Sequence, residues 1–367
     1  MTLNFSYKFY RTTTDALQAM SEAILVAQKS IYWEIYSLID DTIGGPFVDI
    51  LCEKARSGVE VKVIVDAVGS FEMSRLGISR LRGAGVDVVY YNKLSPRLAL
   101  FNWAQSLGKR NHRKILVVDR ETVFIGGVNV AKLYSTWNDL HIRITGKVAA
   151  PLLRAFAHSY VRCGGDKNKV RHLLKSKFSI ELQEIKNHFK FILHSPIDLN
   201  YSRAKRVFFD ALSKTNNKFN LLTPYFVPDK NFFYLADEAR ERGATIDLFL
   251  PITPDHKFIE WVSGFYSKMA HKHGINVYLS KIMNHGKAMT SDSAVGFVGS
   301  VNYTPRSFFS QEEAGVLFTD RLMVEELNLI FDDWRSSAVA LNGSNYLHFG
   351  WKGKVKDWLG ELFGGLL

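Results

Sequence analysis

His112-Arg-Lys114-Ile-Leu-Val-Val-Asp119 is followed, six residues on, by Gly126-Gly127-Val-Asn129. The string returns in the second half as His285-Gly-Lys287-Ala-Met-Thr-Ser-Asp292, again six residues, then Gly299-Ser300-Val-Asn302. Two strings with the same internal spacing, at corresponding places in two half-chains, make an internal repeat the first reading. Each copy reads as a strand, where alternate residues share a face. His112 and Lys114 should then project together, as should His285 and Lys287. Packing of the halves about a pseudo-twofold axis would bring two imidazoles and two ammonium groups to one anion.

Working outward, helix and strand signals alternate. In the first half, periodicity predicts helices over Thr14–Lys29, Phe47–Arg56 and Ser74–Arg82. Strands are predicted at Ile31–Leu38, Val59–Val65, Val86–Tyr91 and Leu140–Ile144, with a hairpin from Lys114–Asp119 and Thr122–Ile125. The second half repeats the scheme: helices at Ser202–Ser213, Asn231–Arg242, Lys257–His273 and Arg321–Ala338, and strands at Phe219–Leu222, Ile246–Leu250, Val277–Leu279 and Glu312–Phe318. The expected class is α/β, with two α/β/α halves and central mixed sheets packed side by side. The expected division is residues 1–165, a basic linker at 166–188, residues 189–345, and an amphipathic tail at 346–367. The Lys167–Lys177 stretch reads as a solvated helix and linker.

Bulk properties narrow the function. At 367 residues and 47% hydrophobic, the chain can build a large core. No uninterrupted apolar run approaches the roughly 18–20 residues that cross a bilayer, and Met1–Arg11 has no signal-peptide pattern. The net charge of +11 favours anionic partners: nucleic acid, an anionic bilayer or a phosphorylated substrate. Cys52 and Cys163 form neither a metal-ligand pattern nor a disulfide scaffold.

The repeated residue types suit phosphoryl transfer. One histidine can attack phosphorus while the other protonates the leaving oxygen and later deprotonates the incoming hydroxyl. Imidazole titrates near neutrality, so both roles are open without a metal. Lys114 and Lys287 would stabilise charge on the phosphoryl oxygens. Asn129 and Asn302 add neutral donors, and Gly126, Gly127, Gly299 and Ser300 permit close backbone approach. Each imidazole needs a carboxylate to fix its tautomer. Asp139 and Glu313 follow Asn129 and Asn302 at nearly equal offsets and are the candidates. Asp119 and Asp292, in turns after the strands, complete the candidate set with a bracing role.

The duplicated string resembles the signature of the phospholipase D superfamily, over nearly the whole chain. The resemblance implies one shared site, no metal or other cofactor, His112 as nucleophile and His285 as acid/base. Within that superfamily the chain is similar to bacterial cardiolipin synthases at Thr223-Pro-Tyr-Phe-Val-Pro-Asp229, Pro254-Asp-His-Lys257, Pro305-Arg-Ser-Phe308 and Ser310–Ala314. That likeness implies transfer of a phosphatidyl group to the terminal hydroxyl of phosphatidylglycerol, and a peripheral location on the cytoplasmic face of a bacterial inner membrane. There are two departures. The N-terminal membrane helices of the longest members have no counterpart in these 367 residues, and Thr304 stands where the family usually has an acid.

Two segments suit contact with an anionic membrane surface. Arg97–Arg110 interleaves basic and apolar residues. The tail spaces Val355, Trp358, Leu359, Leu362, Phe363 and Leu366 helically behind Lys352, Lys354 and Lys356. Packing of that tail on the domain is an equal reading. The rival functions are a phosphodiesterase or nuclease using water, whose basic and aromatic residues would bind single-stranded nucleic acid, and a non-catalytic binder of anionic lipid. A duplicated chain can complete its site without an oligomer.

Overall fold

The computed structural model describes residues 5–92, 109–174, 185–196, 202–255 and 257–341. Strands of the first half are β1 (Phe5–Thr12), β2 (Ser30–Ile35), β3 (Glu60–Asp66), β4 (Asp87–Tyr91), β5 (Arg110–Asn111), β6 (Ile115–Val118), β7 (Thr122–Gly126) and β8 (Asn138–Gly146). Those of the second are β9 (Phe189–His194), β10 (Lys218–Leu222), β11 (Thr245–Pro251), β12 (Asn276–Ser280), β13 (Ala288–Ser291), β14 (Val295–Gly299), β15 (Gln311–Phe318) and β16 (Val339–Ala340).

The repeat extends far beyond the motifs. The first sheet runs β1-β8-β7-β6-β2-β3-β4. The second runs β9-β15-β14-β13-β10-β11-β12, with β16 added outside β12. In both sheets the three strands joined through helices pair in parallel. The remaining pairs of the two series are antiparallel. Parallel neighbours require a crossover, and Gly44–Arg56, Arg75–Gly83, Lys230–Glu241 and Lys257–Lys272 supply it.

Strand β2 shows how sequence becomes layers. Ile31, Trp33 and Ile35 face an outer core under the helices, while Tyr32 faces the opposite core. A matching outer core lies in the second half, around Phe208, Phe219, Phe232 and Leu248. Between the halves runs one shared core that joins Ile125, Ile142 and Phe156 to Val298, Val316 and Phe331. The halves therefore bury a common apolar layer and form a single folded unit.

Absent from the sequence reading are β1, β9 and the helix Ala150–Arg162, together with the short β5, β16 and the helix Pro305–Phe309. The basic stretch is not wholly solvated either, because Val170 and Leu173 enter the shared core. Most of Arg97–Arg110 and the whole 346–367 tail lie outside the described residues.

Asp119 and Asp292 occupy equivalent turns with φ of 51° and 52°. Asp119 accepts the backbone N–H groups of Gln28, Lys29 and Ser30 at 2.7–2.9 Å. Asp292 accepts those of Asn216, Asn217 and Lys218 at 2.8–3.1 Å. Each carboxylate thus fastens the start of its half's first parallel strand, β2 or β10, to the motif strand. Hydrogen bonds to a charged acceptor are individually strong, so Asp119→Ala is expected to cost about 2–3 kcal/mol. Thermal unfolding of the variant checks this; an unchanged midpoint would refute the bracing role.

Candidate active site

The motif histidines and lysines do not lie within strands. His112 and Lys114 are in extended chain just before β6, and His285 and Lys287 just before β13. Each Lys–His pair still lies close together. Lys114 Nζ donates to the His112 carbonyl at 2.8 Å. Lys287 Nζ lies 2.8 Å from Nε2 and 2.9 Å from Nδ1 of His285.

Backbone bonds between the halves set the register of the site. The His112 N–H donates to the Glu312 carbonyl at 2.9 Å, beside the short parallel pairing of β5 with β15. The His285 N–H donates to the Asn138 carbonyl at 2.7 Å. Each bond places a motif histidine next to a carboxylate one residue further on, in the opposite half. His112 Nδ1 is 3.1 Å from Glu313, and His285 Nδ1 is 2.9 Å from Asp139. The carboxylates expected from sequence are therefore present, and they are exchanged between the halves.

Small residues make room for these pairs. A Cβ on Gly127 would come within 2.1 Å of Asp139 Oδ1. At the equivalent place Ser300 donates its hydroxyl to Glu313 Oε2. With Nδ1 of His112 committed to Glu313, its Nε2 is left for substrate, whereas Nε2 of His285 also has Lys287 Nζ at 2.8 Å. His112, His285, Asn129 and Asn302 all line one cavity of about 260 Å³, closed further by Tyr36, Tyr225 and Arg306. The side-chain carboxamide oxygens of Asn129 and Asn302 are buried without a hydrogen-bond partner. Each amide therefore has an acceptor unspent at the cavity, and contact with a phosphoryl oxygen would fall to its NH2 group.

The electrostatics favour an anionic ligand. Burial, reinforced by Lys114, Lys287 and His285, pushes His112 well below the ordinary imidazole range. Burial and Lys287 push His285 down as well, against the opposing pull of Asp139. Lys114 falls well below its usual value through burial and the Lys287 charge. Burial brings Lys287 down to about 8. Burial lifts Glu313 to about 8 although Lys114 opposes it. For Asp139 burial is outweighed by the His285 hydrogen bond and charge, and its carboxyl sits below the usual range. The lysine cations repel one another in this buried site, and a bound anion relieves this.

Anion binding should therefore take up protons. The bound form favours protonated lysine and imidazole, so affinity should fall as pH rises through about 8, where Lys287 loses its proton. Sulfate titrations by calorimetry, in buffers of different ionisation enthalpy, measure the uptake directly. Proton release on binding would contradict this electrostatic account.

Some of the site carries no sequence signal. Arg113 stands between His112 and Lys114, where the second motif has Gly286. Its guanidinium is buried, 2.6 Å from Glu312 and 3.5 Å from Glu34, and it donates to the His194 carbonyl at 2.9 Å. Arg162 closes the network at 2.7 Å from Glu312. Nearby, Arg110 and Asp66 form a buried pair at 3.3 Å. These groups hold the segment carrying His112 against both halves, whereas the corresponding position on the His285 side is Gly286.

A family model described as "Cardiolipin synthase, PLD-like domain" matches residues 20–159 and again residues 208–334. The chain belongs to this phospholipase D-like family. Among curated members, the probable cardiolipin synthase YwiE of Bacillus subtilis is 29% identical over 364 residues, covering 97% of this chain and 70% of that protein. Cardiolipin synthase A of Pseudomonas fluorescens is 30% identical over 325 residues, covering 86% and 66%. The chain thus spans about two thirds of the length of these relatives. In solved structures the fold is shared with phosphatidylserine synthase of Haemophilus influenzae Rd KW20, at TM-score 0.70 and 15% identity over 98% of this chain and 95% of that one. Polyphosphate kinase of Porphyromonas gingivalis matches at TM-score 0.59 and 14% identity, over 93% and 49%.

Proposed function

We propose that the chain is a phosphatidyltransferase of the cardiolipin synthase type, acting through a phosphohistidine intermediate. The observation that carries this reading is the exchanged pair of imidazole–carboxylate contacts around one cavity. His112 Nε2 attacks the phosphorus of a bound phospholipid, and the bond from phosphorus to the headgroup oxygen breaks. That oxygen takes a proton from His285 and leaves as the free alcohol. The phosphatidyl group remains on His112. The terminal hydroxyl of phosphatidylglycerol then gives its proton to His285 and attacks phosphorus, the P–N bond breaks, and both histidines return to their starting state.

The other site residues divide the remaining work. Lys114, Lys287, Asn129 and Asn302 stabilise the phosphoryl oxygens as charge builds on them. Glu313 and Asp139 hold the two rings and balance the imidazolium charge that forms during the cycle. Asp119 and Asp292 brace the motif strands and take no part in the chemistry. The working location is peripheral, on the cytoplasmic face of a bacterial inner membrane. Among the described residues no helix is long and apolar enough to cross a membrane.

Incubation with phosphatidylglycerol vesicles should yield cardiolipin and glycerol. Phosphatidic acid as the sole lipid product would replace transfer by hydrolysis. Cleavage of single-stranded DNA with lipid untouched would overturn the lipid assignment.

A further inference from the structure

The site takes its substrate from the carboxyl ends of the parallel strands, the usual place for a ligand in an open α/β sheet. Tyr36 follows β2, Val68 and Gly69 follow β3, Tyr225 follows β10 and Asp255 follows β11, and all line the cavity. The loops that carry these residues also carry exposed apolar side chains. Phe71, 78% exposed, is two residues from Gly69. Leu76, 71% exposed, lies in the first turn of the helix that this loop leads into. Leu133, beside the lining residue Tyr134, is 64% exposed. Ile252 is 45% exposed in the loop that holds Asp255, and Ile282 is 56% exposed in the segment leading to His285.

Each of the five lies close in the chain to a residue that lines the cavity, and exposed apolar groups beside one site mark a contact surface. The cavity helps identify the occupant. At about 260 Å³ it falls below the roughly 300–1,000 Å³ of a pocket that engulfs a drug-sized ligand. It can take a phosphate and part of a headgroup, and it cannot enclose two acyl chains. A diacyl substrate must therefore keep its chains outside while its phosphate reaches His112. Charges around the rim are mixed: Arg75, Lys132 and Lys281 are exposed there, as are Glu72 and Asp255, with Asp255 held by the Tyr225 hydroxyl at 2.6 Å. The apolar side chains, and not a net field, define this surface.

We propose that Phe71, Leu76, Leu133, Ile252 and Ile282 form a bilayer-inserting rim that seats the mouth of the site on the membrane, so that a lipid rises into the cavity without leaving the bilayer. Side chains of this kind enter the boundary between headgroups and acyl chains. The proposal rests on the reading of the site as one for phospholipid, and the two can fail separately.

The experiment compares the full chain with a Phe71→Ser, Leu133→Ser, Ile282→Ser variant. Sedimentation with phosphatidylglycerol vesicles measures the surface. Turnover of a short-chain phosphatidylglycerol, kept below its micelle-forming concentration, measures the site. The variant should lose at least tenfold in vesicle binding and vesicle turnover while keeping its rate on the monomeric substrate. Undiminished vesicle sedimentation by the variant would overturn the rim. Equal loss on both substrates would also overturn it, by showing damage to the site. Wild-type binding without turnover of either lipid would leave the rim standing and refute the phosphatidyltransferase reading. A second variant, Ile252→Ser with Leu76→Ser, guards against misfolding of the first and should show the same split.

Discussion

Replacing His112 by alanine is expected to lower lipid turnover by a factor of about 10⁴ or more, with the fold intact. The residue supplies the bond-forming nitrogen, and losses of this size accompany removal of a group that acts throughout a covalent cycle. The surroundings prepare it for that task. Burial and the neighbouring cations keep the ring unprotonated well below neutral pH, so its lone pair is available. The ring is held through Nδ1 by Glu313 and contacts Tyr36 edge-on at 5.1 Å between centroids. Alanine there removes little core packing, since the ring faces the cavity, and thermal unfolding should change far less than activity. Turnover within tenfold of wild type would exclude His112 as nucleophile.

The exchanged carboxylates give the second large effect. Asp139→Asn preserves shape and removes a charge, and Glu313→Gln preserves shape and removes a carboxyl, lifted to about 8, that can ionise when the His112 ring becomes cationic. Each should lower turnover by about 10³–10⁴, the scale seen when the orienting carboxylate of a catalytic histidine is neutralised. Because the contacts cross between halves, Glu313→Gln should act through His112 and Asp139→Asn through His285. The two variants should therefore differ in kind. With Glu313→Gln, formation of the covalent intermediate slows. With Asp139→Asn, proton transfer to the leaving oxygen slows, so a substrate with a more acidic leaving alcohol restores part of the rate. Rescue of Glu313→Gln, and not of Asp139→Asn, by such a substrate would contradict the pairing.

The sequence made the centre of the site readable because two copies of one string check each other. His112, Lys114, His285, Lys287, Asn129 and Asn302 come together as their spacing suggests. Asp139 and Glu313 could be picked out by offset, but an offset is the same for either partner. The crossing depends on the backbone bonds from His112 to Glu312 and from His285 to Asn138, which only the packing of the halves creates. Arg113 was hidden for a similar reason. In a chain of net charge +11, one more arginine has no meaning until Glu34 and Glu312 meet it in the interior.

The missed elements have equally local causes. Strand β1 owes its form to antiparallel pairing with β8, far along the chain, and β9 to pairing with β15. Strands of this kind are stabilised by their neighbours more than by their own residues. The helix Ala150–Arg162 starts after Ala149, which offers no capping side chain, and its start is marked only by Pro151 in the first turn. By contrast, Thr12, Ser202 and Asp320 cap helices with side-chain oxygens, and those helices were readable.

The most direct test of the whole account is to trap the intermediate. The enzyme is mixed with phosphatidylglycerol, quenched in denaturant at alkaline pH to preserve a P–N bond, digested, and analysed by mass spectrometry. The expected result is a phosphatidyl group on the peptide containing His112, present in wild type and absent from His112→Ala. Steady cardiolipin formation with the adduct on His285 instead, or with no adduct on either histidine, would contradict it.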